Sequence, residues 1–283
     1  MKPGDSINSG VTGPAARLPA CILCGTARAR KIVEQPAARY FARTIYTCDA
    51  CSLAFVHPQP SDEELARVYS STTYFEQHSD TPEKQPGQER ADVRVGILSK
   101  FLRGNPALAE RRPRVLDIGP GTGEFMRTVS AAGWSAQGLE ATAEWAKSLA
   151  RQTGLRVDAS WSLAAFEDPE PFDVISMWEV IEHYRDPLAE VTGARRRLKP
   201  GGWLAISTPN LGSFRGRVYG PRWRGFTEGF EHLFFFSPRS LRAVLERAGF
   251  QEIRLRTWKI NSALLKPLEW AGMGNVLEAY ARA

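Results

Sequence analysis

The stretch from Arg114 to Phe125, RVLDIGPGTGEF, constrains the fold of this chain more than any other part of it. A short apolar run leads to Asp117, and glycines follow at alternate positions, at Gly119, Gly121 and Gly123. Glycine adopts positive φ and lets backbone approach a ligand, and a following helix would aim free N–H groups at an anionic group. The stretch therefore predicts a β-strand, a nucleotide-binding turn and a helix start. Taken alone, it also fits an ordinary turn of a Rossmann-like protein.

The order of patterns after this stretch predicts a doubly wound α/β sheet. Short apolar runs at 135–139, 172–177, 203–207 and 253–258 alternate with stretches of helical periodicity. In such a sheet the ligand lies at the carboxyl ends of parallel strands. The final residues, 276–281, fit either a closing strand or a terminal helix.

The composition sets the size and the kind of partner. The 283 residues, 43% of them apolar, suffice for one α/β domain and a smaller unit. The net charge of +6 with scattered arginines gives a mild preference for anionic partners, and makes nucleic acid an unfavoured one. The polar start and the lack of a long apolar stretch indicate a cytoplasmic protein with no membrane partner.

All four cysteines fall in two Cys-x2-Cys pairs near the N-terminus, Cys21 with Cys24 and Cys48 with Cys51. Four thiolates at this spacing can surround Zn²⁺ tetrahedrally and close its coordination shell. The pattern predicts a structural zinc site, with two disulfides or a redox-active pair as the alternatives.

Four units follow from these patterns. We expect a flexible tail, a zinc-binding module with a connecting helix, a linker loop with a capping helix, and a large α/β domain. They cover residues 1–19, 20–75, 76–113 and 114–283, respectively.

The order of the motifs resembles that of the class I S-adenosylmethionine (SAM) methyltransferases from about residue 90 to the end. The blocks are LDIGPGTG, GLEA, FDVISMWEVIEHYRDP, LKPGGWLAISTPN and EHLFFFSPRSL. The N-terminal part is similar to the zinc-binding domain of some sugar C-methyltransferases and related small-molecule O-methyltransferases. This resemblance implies a Rossmann-like seven-stranded sheet with a small N-terminal zinc-binding module, and SAM and structural Zn²⁺ as cofactors.

The resemblance also implies a set of SAM-binding residues. Gly119, Gly121 and Gly123 would approach the methionine end, and Asp117 would order the turn and bind the amino group through water. Glu140, at the end of the second strand, would hold the ribose hydroxyls. Two further residues complete this set. Asp158 is a candidate for binding the adenine amine, with the Ala159-Ser160 turn beyond it as the alternative. Trp178 is a candidate for the border of the methyl pocket.

A hydroxyl or acidic-carbon acceptor needs a base. His232, beside Glu231, is our leading candidate, because its block is similar to one in sugar C-methyltransferases where a Glu-His pair lies at the acceptor. A histidine that only orders its loop is the structural alternative. His183 is the rival, since Glu179, Glu182 and His183 are similar to a metal-associated cluster in quinone O-methyltransferases.

Acceptor contacts are expected from the segment 210–229, which is basic, aromatic and glycine-rich. Arg222 and Arg224 could hold a phosphate or carboxylate, and Trp223 between them fits a binding surface. Tyr74, which enters a polar loop, fits either a packing anchor or a lid over the site.

These patterns together predict methyl transfer from SAM to a small, possibly anionic acceptor: a sugar, a nucleotide-linked sugar or a natural-product hydroxyl. O-methylation with His232 as base is the leading hypothesis. The alternatives are C-methylation of a deoxysugar and a protein that binds or modifies tRNA or rRNA. The patterns leave the acceptor and the oligomeric state open.

Overall fold

A seven-stranded mixed sheet forms the centre of the larger part of the chain. The computed structural model describes residues 20–35, 42–69, 86–104, 112–227, 229–260 and 263–283. The strands of this sheet are β4 (Arg114–Ile118), β5 (Ser135–Glu140), β6 (Arg156–Ala159), β7 (Phe172–Trp178), β8 (Leu198–Pro209), β10 (Glu252–Trp258) and β11 (Val276–Arg282). Their order is β10-β11-β8-β7-β4-β5-β6, so the predicted seven-stranded Rossmann-like sheet is confirmed.

The direction of one strand, β11, differs from the predicted parallel arrangement, since β10 again runs in the direction of β8. The five strands from β8 to β6 are parallel, whereas β11 is antiparallel to β8 and β10 is antiparallel to β11. Parallel neighbours need a crossover connection that returns the chain to the same edge. Between β10 and β11 the described residues form the seven-residue 3₁₀ helix Ala263–Glu269 and a turn, with no α-helical crossover among them, so β11 returns antiparallel to β10. The open question about residues 276–281 is resolved as a strand.

Helices cover both faces of the sheet. The described residues contain eight α-helices: α1 (Asp62–Tyr69), α2 (Pro86–Arg103), α3 (Glu124–Ala131), α4 (Ala143–Thr153), α5 (Pro187–Arg197), α6 (Phe214–Tyr219), α7 (Arg224–Thr227) and α8 (Pro238–Arg247). Alternate residues of β4 face different cores: Val115 packs with α2 and α3, and Leu116 packs with α5 and α8. Burial on both faces explains why the central strands are almost continuously apolar.

A second, antiparallel sheet carries the cysteines. It consists of β1 (Ala29–Gln35), β2 (Arg43–Cys48), β3 (Ala54–Val56) and a two-residue strand from far along the chain, β9 (Phe234–Phe235). We refer to these four strands as the N-terminal sheet. Strand β9 lies between β8 and β10 in the sequence, so the chain leaves the seven-stranded sheet to pair with the N-terminal sheet and then returns; we name residues 229–236 the bridging segment.

Helix starts follow the sequence signals. The Ser61 hydroxyl accepts from the Glu64 N–H, and the Glu64 carboxylate accepts from the Ser61 N–H, so the two residues form a capping box at the start of α1. Helix α2 begins at Pro86. The predicted tail, residues 1–19, lies outside the described residues, and the division into four units stays a prediction.

No helix in the described part of the chain combines the length and the apolar content that crossing a bilayer requires.

Candidate active site

A cavity of about 440 Å³ lies at the carboxyl ends of β4, β5, β6 and β7. The strand ends supply its walls, and the 3₁₀ turn Ile181–His183 and the bridging segment close one side. The lining residues are Ile118, Gly119, Gly121, Leu139, Glu140, Ala141, Thr142, Trp145, Ser160, Trp161, Trp178, Glu179, Val180, His183, Tyr184, Glu231 and His232. The fold therefore brings most of the sequence-predicted cofactor and catalytic residues to one place.

The glycine turn after β4 has the backbone that its spacing predicts. Gly119, Gly121 and Gly123 all have positive φ, of 60°, 55° and 76°. A methyl group at Gly119 would lie 2.7 Å from a Val180 methyl, whereas one at Gly121 would meet nothing within 4 Å. Gly121 thus leaves open space on the cavity side, where a ligand can approach the backbone.

The third glycine has a packing role. Gly123 does not line the cavity, and a methyl group there would lie 2.9 Å from both Leu149 and Thr153 of α4. The indole N–H of Trp145, also on α4, donates to the Gly121 carbonyl over 3.1 Å. Helix α4 therefore holds the turn in place from behind.

Glu140 lies at the end of β5 on the cavity wall, as predicted. One of its carboxylate oxygens accepts from the Thr142 N–H over 3.2 Å. Burial raises the pKa of this carboxyl above its ordinary value, and the hydrogen bonds from residues 141 and 142 lower it in part. Thr142 occupies the helix N-cap, but its side chain makes no capping bond.

The next strand end provides Ser160 and Trp161 to the cavity. Asp158 does not line it: the Asp158 carboxylate accepts from Gln137 over 2.8 Å and pairs with Arg156 at 2.9 Å. Of the two alternatives in the sequence for the adenine end, the structure places the turn beyond Asp158 at the cavity.

Asp117 lies beneath the cavity and not in its lining. It is 1% exposed, and its Oδ1 accepts from the Ser176 hydroxyl over 2.6 Å. Burial raises the pKa of this carboxyl to about 7, although Ser176 and the charge of Arg94 lower it. Its second oxygen has no hydrogen-bond partner among the described residues.

Trp178 forms the floor beside this carboxyl. Its ring packs edge-on against Phe125, with the centroids 5.1 Å apart. The Arg94 guanidinium lies 3.8 Å from the Trp178 ring centroid and donates to Glu278 over 2.9 Å in a buried ion pair. A cation held on the far face of the ring fixes the Trp178 plane that faces the cavity.

Two histidines and Glu231 meet at the other end of the cavity. The His183 and His232 rings are perpendicular, with centroids 4.9 Å apart, and His232 Nε2 lies 3.9 Å from the Glu231 carboxylate. Ligand atoms of Glu182, His183 and His232 all lie within 4.8 Å of one another. A methyl group at Gly229 would overlap the His232 ring, so the glycine permits the ring position.

Carboxyl groups surround this end of the cavity. Glu179 has a positive φ of 58°, and its carboxylate accepts from the Ser207 hydroxyl over 2.9 Å. Burial raises the pKa of Glu179, and burial together with the charge of Glu179 raises the pKa of Glu182 well above its ordinary value. Among the described residues that line the cavity, none is Lys or Arg.

The predicted acceptor surface is only partly present. Arg222 and Arg224 are exposed and lie outside the cavity lining, but Trp223 is a core residue with 7% exposure. It packs with Phe226 and Phe235 against β2 and β3, because the N-terminal sheet covers it. The expectation of an exposed aromatic at this position is wrong. Tyr74 lies outside the described residues.

The four cysteine sulfurs lie together beside the N-terminal sheet. Sγ of Cys21 is 3.5 Å from that of Cys51, and Sγ of Cys24 is 3.5 Å from that of Cys48. All four lie within 4.8 Å of one another, and Cys21 and Cys48 are buried. The two turns of the sequence pattern thus converge on one point.

Sequence reasoning missed several cavity residues, among them Trp145, Trp161 and Tyr184. Ala141 and Trp161 follow β5 and β6 directly, and position after a parallel strand is a signal that would have found them. Trp145 and Tyr184 carry no comparable signal.

Comparison with known proteins agrees with this geometry. Residues 89–255 match the family model described as "Methyltransferase domain". The chain belongs to this family. The predicted class of protein, a class I methyltransferase fold with an N-terminal four-cysteine cluster, is confirmed.

The family includes relatives of known name. The ubiquinone biosynthesis O-methyltransferase of Ruegeria sp. (strain TM1040) is 34% identical over 166 residues, which cover 54% of this chain and 66% of the relative. That of Xylella fastidiosa (strain M23) is 34% identical over 169 residues, covering 56% and 66%. The chain therefore spans slightly less than two thirds of the length of these curated relatives.

Solved methyltransferases share the fold. A SAM-dependent methyltransferase from Archaeoglobus fulgidus aligns with a TM-score of 0.54 at 16% identity, covering 75% of this chain and 98% of the other. The plantazolicin methyltransferase BpumL, solved in complex with SAH, aligns with a TM-score of 0.56 at 14% identity, covering 77% and 93%. At these identities the likeness concerns the fold alone.

Proposed function

We propose that this chain transfers the methyl group of SAM to a hydroxyl of a small-molecule acceptor, with His232 as the base. One observation carries the proposal: the glycine turn, Glu140 and the Glu231–His232 pair all open on the same cavity. The relatives named as O-methyltransferases favour a hydroxyl acceptor over the sugar carbon of our alternative hypothesis.

The cavity fits SAM in two respects. Gly121 leaves room for close approach to the turn, and Glu140 presents a half-buried carboxylate where a ribose diol would lie. When bound, SAM would supply an electrophilic methyl group on a sulfonium, with the neutral thioether of SAH as the leaving group. Trp178 and Val180 exclude water from the space between the two ends.

His232 suits the removal of the acceptor proton. A neutral imidazole takes the hydroxyl proton as the oxygen attacks, and the Glu231 carboxylate 3.9 Å from Nε2 stabilises the imidazolium that results. His183, perpendicular to His232, limits the rotation of its ring.

The charged residues that line the cavity restrict the charge of the acceptor group that reacts. Glu140, Glu179 and Glu231 line the cavity and no Lys or Arg does so among the described residues, so an anionic group would be repelled there. We infer a neutral hydroxyl at this end. An anionic part of the acceptor would have to lie outside the cavity, on the side of Arg222 and Arg224.

We also propose that the four cysteines bind a structural Zn²⁺. Thiolates about 2.3 Å from a tetrahedral zinc lie about 3.8 Å apart. The separations of 3.5 to 4.8 Å fit this geometry. Four sulfurs leave no open position, so the metal would stabilise the N-terminal sheet and take no part in chemistry.

Isothermal titration with SAM tests the cofactor assignment. Loss of the ribose contact in Glu140→Gln should weaken SAM binding by about 10-fold or more, given the strength of hydrogen bonds to charged groups. The matched control is Glu144→Gln, an exposed carboxylate on α4, which should bind as the wild type does. Equal SAM affinities for all three proteins would show that Glu140 does not bind SAM.

Release of SAH from SAM tests the acceptor and the base. Three probes separate the hypotheses: a catechol for O-methylation, a nucleotide-linked deoxysugar for C-methylation, and tRNA for nucleic acid. On the active probe, His232→Asn should lower kcat by about 100-fold or more without changing SAM affinity, and His183→Asn should have the smaller effect. A fully active His232→Asn enzyme would exclude His232 as the base.

A further inference from the structure

Arg43, on β2 of the N-terminal sheet, is one of the largest fully buried side chains described, with 2% exposure. A buried guanidinium is costly unless its donors are satisfied, and this one is not part of the methyl-transfer site by position. Its partners therefore show what it contributes to the fold.

The hydrogen bonds of Arg43 converge on one stretch of the methyltransferase domain. Nη1 donates to the Gly229 carbonyl over 2.7 Å and reaches the His232 carbonyl at 3.5 Å, and Nη2 donates to the Phe226 carbonyl. The guanidinium also lies 4.5 Å from the Phe230 ring centroid. Every one of these acceptors or rings lies within residues 226–232.

The same strands hold Arg43 and the bridging segment from other directions. Gln35 of β1 accepts from Arg43 Nε over 2.5 Å and donates to the Phe226 carbonyl over 2.8 Å. Farther along, the Val56 N–H donates to Leu233, and the Leu233 N–H donates to the Glu182 carbonyl. The bridging segment is thus bonded to the N-terminal sheet on one side and to the 3₁₀ turn beside the cavity on the other.

The charge of Arg43 also favours an interaction with the bridging segment. The partners of the guanidinium are neutral carbonyls, and Glu231 is the carboxylate that acts on it electrostatically. Burial lowers the pKa of Arg43 to about 10, so the side chain is still cationic at neutral pH. The cation is therefore attracted by the Glu231 carboxylate, whose oxygen lies 3.9 Å from His232 Nε2.

We propose that Arg43 is a positioning residue of the acceptor end: it fixes the backbone at Phe226, Gly229 and His232 and thereby sets the position of the Glu231–His232 pair. The N-terminal sheet is then a structural part of the active site and not only an appended unit. The role in catalysis rests on the proposed function, whereas the placement of His232 does not.

Histidine NMR measures that placement without an acceptor. The chain has four histidines, so labelling with ¹³Cε1-histidine gives a simple spectrum in which His232→Asn identifies the His232 signal. Arg43→Gln removes the charge and the forked donor, and Arg43→Lys keeps the charge alone. We expect the His232 signal to move or broaden in Arg43→Gln and to recover only in part in Arg43→Lys.

The matched control is Arg30→Gln, which removes an exposed arginine of β1 that pairs with Asp49 at 3.1 Å. Its spectrum should be that of the wild type. With the active acceptor probe, Arg43→Gln should lose about 10-fold in kcat while SAM binds with wild-type affinity, because only the acceptor end is displaced.

Three results would overturn the inference: an unchanged His232 signal in Arg43→Gln, full recovery by Arg43→Lys, or parallel losses of SAM affinity and thermal stability that show a general folding defect. If SAM fails to bind any form but the His232 signal still responds to Arg43→Gln, the proposed function fails and the positioning stands. The two are therefore separable.

Discussion

The buried carboxyl of Asp117 gives the most quantitative prediction, through the variant Asp117→Asn. Asp117 is 1% exposed near the end of β4, and within the described part of the chain only one of its oxygens is hydrogen-bonded, to Ser176 at 2.6 Å. An asparagine has nearly the same shape, and its amide oxygen can accept the same bond from the Ser176 hydroxyl. The substitution therefore removes the charge with little change in packing.

The magnitude follows from the pKa. Burial raises the pKa of Asp117 to about 7 from an ordinary value of 3.8. A difference of about 3 in pKa, at 1.36 kcal/mol each, corresponds to about 4 kcal/mol as an order of magnitude. The native state holds the proton between pH about 4 and about 7 while the unfolded state has lost it, so this group lowers the free energy of unfolding as pH rises through that window.

Urea denaturation at a series of pH values measures this effect. Asp117→Asn and the wild type should have similar free energies of unfolding near pH 4, to within about 1 kcal/mol. Above pH about 7 the variant should be the more stable, by up to about 4 kcal/mol. Asp92→Asn, an exposed carboxylate on α2, controls for the change in net charge.

Because the Asp117 carboxylate lowers the stability of the fold above pH about 7, we expect it to have a functional role. If the second oxygen of Asp117 reaches the amino group of SAM through water, Asp117→Asn should weaken SAM binding by about 10-fold while stabilising the free protein at high pH. A stability difference that does not grow with pH would refute the buried-carboxylate reasoning. Unchanged SAM affinity would refute the proposed role of Asp117 in SAM binding.

Three further variants test other parts of the structure. Gly119→Ala should destabilise the fold by about 1–3 kcal/mol, because its methyl would overlap Val180 at a positive φ, and thermal unfolding against Gly121→Ala checks this. Arg94→Met should cost up to about 3 kcal/mol in urea denaturation, because the buried Glu278 carboxylate then keeps only the more distant cation of Arg256, at 3.7 Å; restoration by the double variant with Glu278→Gln would support this reason. Cys48→Ser should abolish bound zinc in elemental analysis and lower the unfolding temperature; metal-free wild-type protein would exclude the zinc site.

Local patterns predicted the backbone conformation and the position of the residues that we propose hold SAM. The positive φ of Gly119, Gly121 and Gly123 is a property of the turn, and the place of Glu140 at a strand end is a property of one βαβ unit. Both depend on residues near one another in sequence. The convergence of the cysteine pairs followed from their spacing in the same way.

The acceptor end could not be predicted from such patterns. The pairing of β3 with β9 joins Phe55 to Phe234, and Arg43 bonds to residues more than 180 positions away. The mixture of arginine and aromatic residues around Trp223 fits a binding surface or a covered core equally well. Only the position of the N-terminal sheet decides between them, and nothing local to residues 210–229 encodes it.

This dependence has a physical consequence for the whole chain. Strand β9 has two residues, and a strand of that length does not persist without a partner. Its partner β3 belongs to the N-terminal sheet, and the loop before β9 is held by Arg43. His232 lies between these two attachments, so its position at the cavity depends on the N-terminal sheet even though the cofactor end is built by the methyltransferase sheet alone.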